Sequence, residues 1–207
     1  LIDVETINEL VANVRAKHPN VIFYGEGWTM GTNTTKNGVT LTTQTNSQKV
    51  PGFAFFSDTI RDTIRGSAMD IRHQGFVTGG VTDKNQLHTC YMGVPYWAEN
   101  PKQSINYVSC HDNNTLIDRI AIAVPEAPRD VQIRMNHLAA AFYLTAEGIP
   151  FFMAGEEMLR SKPLPEGGFD HNSYKSPDSI NSIKWDTLSD PMYQDVVDYY
   201  TGLIAFR

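Results

Sequence analysis

The chain has 207 residues, 41% of them apolar and 19% charged, with a formal net charge of −6; this suits one domain or a little more with a sizeable core. No run of Lys or Arg is present, so the electrostatic footprint of nucleic-acid or anionic-membrane binding is missing and neutral partners fit better. No stretch approaches the ~20 apolar residues of a membrane span and nothing has the layout of a signal peptide, which leaves the compartment open, while Cys90 and Cys110 are too few for a disulfide framework and Cys110 reads as a small buried thiol.

In chain order, Leu1, Val4, Ile7, Leu10, Val11 and Val14 fall three or four apart and predict one buried face of a helix reaching His18, with no cap ahead of it, so that the chain reads as a piece of something longer. Pro19-Asn20 stops it. Val21 to Gly25 then reads as a fully buried strand of a parallel sheet. It runs into Glu26, an acid flanked by glycines, with Trp28 two residues on. Thr29 to Lys49 is a long Thr-, Asn- and Gly-rich loop, and loops of that length usually serve a site.

Pro51 to Phe56 supplies a second strand, and Asp58 opens a helix with Ile60 and Ile64 inward, Arg61 and Arg65 outward, and Gly66 as its end. Ser67 to Gln103 mixes loop with short helix. Ile105 to Cys110 is the third strand, and Asn113-Asn114-Thr115 starts a helix carrying Leu116, Ile117, Ile120 and Ile122. After a break from Pro125 to Pro128, a long helix from Arg129 to Glu147 is predicted to turn Val131, Met135, Leu138, Ala139, Phe142 and Leu144 inward, with Gly148 as its stop. Ile149 to Ala154 is the fourth strand. An irregular loop from Ser161 to Asp186 precedes a last helix, Met192 to Phe206, with Val196, Val197, Tyr200, Leu203 and Ile204 inside.

Alternating helices and buried strands give an α/β chain with a parallel sheet. A closed barrel of eight strands takes about 250 residues, and the four strands here, separated by long connections, are most simply half of such a (β/α)8 TIM barrel over residues 1–207, an incomplete barrel. Each apolar run ends in acidic residues, at Glu26, Ser57-Asp58, Cys110-His111-Asp112 and Gly155-Glu156-Glu157. That repetition predicts one shared rim, where barrel enzymes carry their catalytic groups.

Glu26 and Asp112 are the candidate carboxylate pair, since glycoside hydrolysis needs a proton donor for the leaving oxygen and negative charge beside an oxocarbenium ion. The plainer reading makes Glu26 a cap and Trp28 a core residue. His111 reads as a proton carrier, a metal ligand or a donor to substrate hydroxyls, but no His-x-x-x-His or Cys-x-x-Cys supports a metal centre. Trp28, Tyr96, Trp97 and Tyr174 are candidate sugar-stacking aromatics, and Glu156-Glu157 reads as a salt-bridging pair on the rim. No phosphate loop or Gly-x-Ser-x-Gly elbow is present.

Five blocks carry a resemblance. The run from Val21 to Trp28 (VIFYGEGW) resembles the strand-five motif of α-amylase-family (glycoside hydrolase family 13) debranching enzymes, and Ile105 to Asn113 (INYVSCHDN) their strand-seven motif. Gly148 to Glu157 resembles strand eight, Val50 to Asp58 strand six, and Asn172 to Asn181 the loop after strand eight in type I pullulanases. The resemblance implies endo-hydrolysis of α-1,6 branch linkages in pullulan, amylopectin and limit dextrins by a retaining route. It makes Glu26 the general acid/base, Asp112 the transition-state-stabilising carboxylate, His111 a binder of substrate hydroxyls, Trp28 a subsite wall, and Asn172 and Tyr174 residues near the cleft. The family's nucleophile, an aspartate after strand four, has no match in the 207 residues, nor have its strand-one and strand-three motifs. The expectation is therefore a chain inactive alone, with an α-glucan and the amino-terminal half of the barrel as partners. The alternative is a non-catalytic glucan-binding or structural fragment. No cofactor is called for, and a structural calcium is left open.

Overall fold

A computed structural model describes residues 2–29, 35–36 and 38–207. The place of Leu1 on the first helix and the part of the Thr29–Lys49 loop at 30–34 and 37 lie outside the described residues.

Helix α1 (Val4–Arg15) does have a cap: the Asp3 carboxylate accepts from the Thr6 amide at 2.8 Å. Ile7 and Val11 are its buried positions, while Leu10, expected inside, is exposed. β1 (Phe23–Gly25) follows, then a short antiparallel hairpin, β2 (Thr35–Lys36) and β3 (Val39–Thr40), and a 3-10 turn at Gln44–Lys49, so the Thr29–Lys49 stretch, expected as loop, contains regular structure. β4 (Phe53–Phe56) leads into α2 (Asp58–Arg65), α3 (Lys84–Tyr91), β5 (Ser104–Asn106), α4 (Leu116–Ala123), α5 (Arg129–Thr145), β6 (Ile149–Pro150), α6 (Asp178–Asn181) and α7 (Pro191–Phe206). Ser57, Thr115 and Asp190 cap α2, α4 and α7 with side-chain oxygens.

The sheet runs β1-β4-β5-β6, every pair parallel, with Phe23 opposite Phe53, Phe55 opposite Ser104 and Ile105 opposite Ile149. Sequential neighbours joined by helices are the α/β arrangement expected. The strands are shorter than predicted. β1 is not fully buried either: it pairs on one side only within the described sheet, and Val21, Ile22 and Tyr24 are exposed.

Two cores form. The larger joins α2, α4, α5 and α7 through Ile60, Ile64, Leu116, Ile120, Tyr143 and Val196; the smaller sets Ile7 and Val11 of α1 against Val50, Phe55 and Trp97. Trp97, a candidate stacking residue, is thus a core side chain, edge-on to Phe55 at 5.9 Å between centroids. Tyr96 beside it is exposed.

Three helix faces differ from the periodicity. In α2, Arg65 does not point outward but is only 1% exposed, because its guanidinium Nη1 donates to the Asn114 carbonyl at 2.8 Å. Arg61 is also drawn in, donating to the Tyr107 hydroxyl at 2.9 Å. In α5 the buried face is Gln132, Asn136, Ala139, Ala140, Tyr143 and Leu144, and Leu138 is exposed. In α7, Ile204 is exposed while Val196 and Tyr200 are buried. Cys90 is buried and Cys110, expected to be, is half-buried; both are free thiols. Among the described residues no helix is long and apolar enough to cross a membrane.

The exposure of Leu138 on α5 can be tested against a buried reference site, Ile60 on α2. Ile60→Ala, at a fully buried site, is expected to lower the unfolding free energy by about 2–5 kcal/mol, whereas Leu138→Ala on the outer face is expected to cost about 0.5 kcal/mol or less. Urea denaturation of the two variants checks this; equal losses would put Leu138 inside.

Candidate active site

The carboxyl ends of β1 and β5 deliver the two acids that the sequence paired. Backbone turns aim them. Gly27 follows Glu26 at φ +69°, and a Cβ there would lie 2.3 Å from the Phe55 ring, so only glycine lets the chain turn over that ring. Asn113 follows Asp112 at φ +65°, in the left-handed region that asparagine tolerates better than most residues. Glu26, His111 and Asp112 converge so that one donor atom from each lies within 4.8 Å of the others, all three side chains being exposed. The His111 imidazole Nε2 sits 3.4 Å from the Asp112 carboxylate.

The three share a cleft of about 120 Å³ with Trp28, Phe56, Arg61 and Tyr107. Trp28 is half-buried on its wall. The floor is aromatic: Phe56 makes edge contacts with Tyr107 and Phe151, each at 5.0 Å, and with Tyr24 at 5.8 Å. Such a surface excludes water beneath the acids while leaving them open above, a combination suited to a neutral, hydroxyl-bearing ligand.

Beneath the cleft the charges are arginines. Burial works against the Arg61 charge, but its 2.6 Å bond to Asp62 and the Tyr107 hydroxyl more than offset this and raise its pKa. Burial pushes the Tyr107 phenol up to about 12 and, with the like charge of Arg61, lowers Arg65 to about 10. Both arginines stay cationic and Tyr107 stays neutral across ordinary pH. Burial raises the Cys110 thiol as well, so it is not an activated nucleophile.

The remaining predicted residues divide. Asn172 and Tyr174 do not line the cleft that holds Glu26. They lie in a loop pinned from below, where buried Ser173 accepts from Lys162 Nζ at 2.5 Å and its carbonyl accepts from Asn181; Tyr174 is exposed, with Lys175 over its ring. The same loop, through Phe169 and His171, borders a second cavity of about 410 Å³ that shares Asn113 with the first.

The four acidic strand ends do not form one rim. Asp58 turns to Gln44, whose amide lies 3.3 Å away. Glu156 is no surface ion-pair partner: it is 3% exposed and accepts from Ser109, from Tyr143 at 2.7 Å and from Tyr200 at 3.1 Å. Burial pushes it up to about 7 despite the three hydroxyls. Arg61, Phe56 and Phe151, the cleft residues not anticipated, carried no motif of their own; the Arg-x-x-x-Arg spacing in α2 was the available signal.

No family model matches the chain. Over 213 residues it is 30% identical to a pullulanase of Bacillus subtilis (strain 168), an alignment covering all of this chain and 28% of that protein. The crystal structure of a Paenibacillus barengoltzii pullulanase in complex with maltohexaose and α-cyclodextrin superposes with a TM-score of 0.88 at 35% identity, covering 99% of this chain and 31% of the other. A pullulanase of Anoxybacillus sp. LM18-11 complexed with maltotriose gives 0.86 at 32% identity, over 99% of this chain and 28% of that one. The chain therefore spans less than a third of the length of these relatives. Agreement in sequence and in backbone over virtually all of this chain leads to one assignment: the chain is a homologue of pullulanases over part of their length.

Proposed function

We propose that the chain forms the carboxyl-terminal half of a (β/α)8 catalytic barrel and supplies part of the α-glucan cleft of a glycoside hydrolase that cuts α-1,6 branch linkages, as in pullulan, amylopectin and limit dextrins, with retention of configuration. The observation that carries this reading is the convergence of Glu26 and Asp112 from separate strand ends over an aromatic floor. Their oxygens lie within 4.8 Å of one another, so both acids can act on one glycosidic centre, and retention follows in this reading from a nucleophile supplied by the other half of the barrel.

In this mechanism Glu26 protonates the glycosidic oxygen as the bond breaks and then takes a proton from the water that resolves the intermediate. Asp112 supplies negative charge beside the developing oxocarbenium ion, His111 holds sugar hydroxyls, and Trp28 stacks on a ring. The nucleophilic aspartate comes from the amino-terminal half of the barrel, so the chain alone binds glucan without turning it over. Asn172 and Tyr174 act as outer contacts through their loop.

A second reading is favoured by the same cluster: two carboxylate oxygens and an imidazole nitrogen within 4.8 Å are a donor set for a divalent cation. Metal-assisted hydrolysis would use it.

Adding the amino-terminal half in trans separates these readings. Cleavage of pullulan is expected to appear only with both halves, to survive chelation, and to fall by about 10²–10⁴-fold with Glu26→Gln. Loss on chelation would favour the metal reading, and binding without cleavage would favour a non-catalytic glucan-binding fragment. Turnover by the chain alone at a rate typical of whole enzymes would refute the shared site.

A further inference from the structure

The proposed chemistry leaves the buried carboxylate of Glu156 unused. It follows Gly155, whose φ of +94° turns the chain inward, and it sits where three elements meet. Tyr143 comes from α5, Tyr200 from α7, and Ser109 from the segment between β5 and the His111–Asp112 turn. Ser109, Tyr143 and Tyr200 are all essentially inaccessible. Among the described residues no cationic side chain is hydrogen-bonded to the carboxylate.

We propose that Glu156 is a positioning residue for the His111–Asp112 turn, tying that turn through Ser109 to the frame formed by α5 and α7. The proposal rests on the roles given above to His111 and Asp112. Ser109, itself buried, lies three residues before Asp112, so a displacement of its hydroxyl is passed along a short length of backbone to the acid.

The hydrogen-bond inventory gives this tie two states. The Tyr200 hydroxyl is 3.1 Å from Glu156 Oε1 and 3.1 Å from Asn136 Oδ1, and it has one proton. When Glu156 is ionised, Tyr200 donates to it. Asn136 then turns its amide so that Nδ2, otherwise without a partner, donates to the phenol oxygen. When Glu156 is protonated it donates to Tyr200, whose hydroxyl in turn donates to Asn136 Oδ1. Apart from the turn of the Asn136 amide, no rearrangement accompanies the change of charge. Ser109 makes a charge-assisted bond in the first state and an ordinary, weaker one in the second.

The groups facing Glu156 fix which of them titrates. Burial holds Tyr143 and Tyr200 well above the ordinary phenol value, so both stay protonated. Arg65 from α2 remains cationic and favours the carboxylate, and Glu157 next in the chain acts on Tyr200. Glu156 itself is moved by burial from the usual carboxylate range to about 7. The tie therefore tightens as pH rises through about 7 and slackens below it.

NMR of the chain between pH 5 and 9 tests this, following the Tyr143 and Tyr200 rings and the amides of residues 109–112. Both sets are expected to show an inflection near pH 7. Glu156→Gln, which keeps the volume and hydrogen-bonding capacity, is expected to abolish it in both sets. Ser109→Ala is expected to retain the tyrosine inflection and lose it from residues 110–112. Unchanged titration of those amides in either variant overturns the proposal. Glucan binding measured on the same wild-type samples is a separate arm: its absence would count against the proposed function and leave the Glu156 coupling readable.

Discussion

Strand β4 is hydrogen-bonded in parallel to β1 on one side and to β5 on the other, and the site depends on that pairing. Parallel strands finish on the same side of a sheet. With Phe55 opposite Gly25 and Phe56 opposite Ile105, the ends of β1 and β5 are held at nearly one level across the central strand. The residue between them is Phe56, whose ring is the floor on which the acids stand. A slip of β4 by one residue would send Phe56 to the other face and leave Glu26 and Asp112 without a common base.

The turn bearing His111 and Asp112 is braced from two directions. From α2, buried Arg65 reaches the Asn114 carbonyl just after the turn, and from the opposite side Glu156 holds Ser109 just before it. Both braces are charged groups placed in apolar surroundings, an expensive arrangement that burial registers by lowering the one pKa and raising the other. Buried polar groups used in this way specify one geometry at some cost in stability. The exposed acids above the floor, by contrast, keep their contact with solvent.

Much of this was legible along the chain, and what was not has a common cause. Glu26, Asp112, His111 and Trp28 were recognisable because an apolar run that stops at an acid places that acid at a strand end, and order along the chain sets order in the parallel sheet. The α/β rhythm and the places of α1, α2, α4, α5 and α7 followed from periodicity and from the Asn113-Asn114-Thr115 helix start. Arg65 and Glu156 were misread because charge ordinarily marks an outer face. Their partners, Asn114, Tyr143 and Tyr200, are distant in sequence, so nothing local announced them. The inward face of α5 was misplaced for the same reason: Asn136 and Tyr143 are buried by their bonding to Tyr200 and Glu156, which a hydrophobic stripe does not reveal. Leu138, left outside that network, is exposed.

The central claim is that the space above Phe56, between Glu26 and Asp112, receives an α-glucan. The three tryptophans of the chain make it measurable, since Trp28 lines the cleft, Trp97 is buried and Trp185 is exposed elsewhere. Titrating the isotopically labelled chain with an α-1,6-branched maltooligosaccharide should shift the Trp28 indole and the His111 ring saturably, leaving the Trp97 and Trp185 indoles in place. No saturable change at Trp28 and His111, or an equal change at Trp185, would contradict the account.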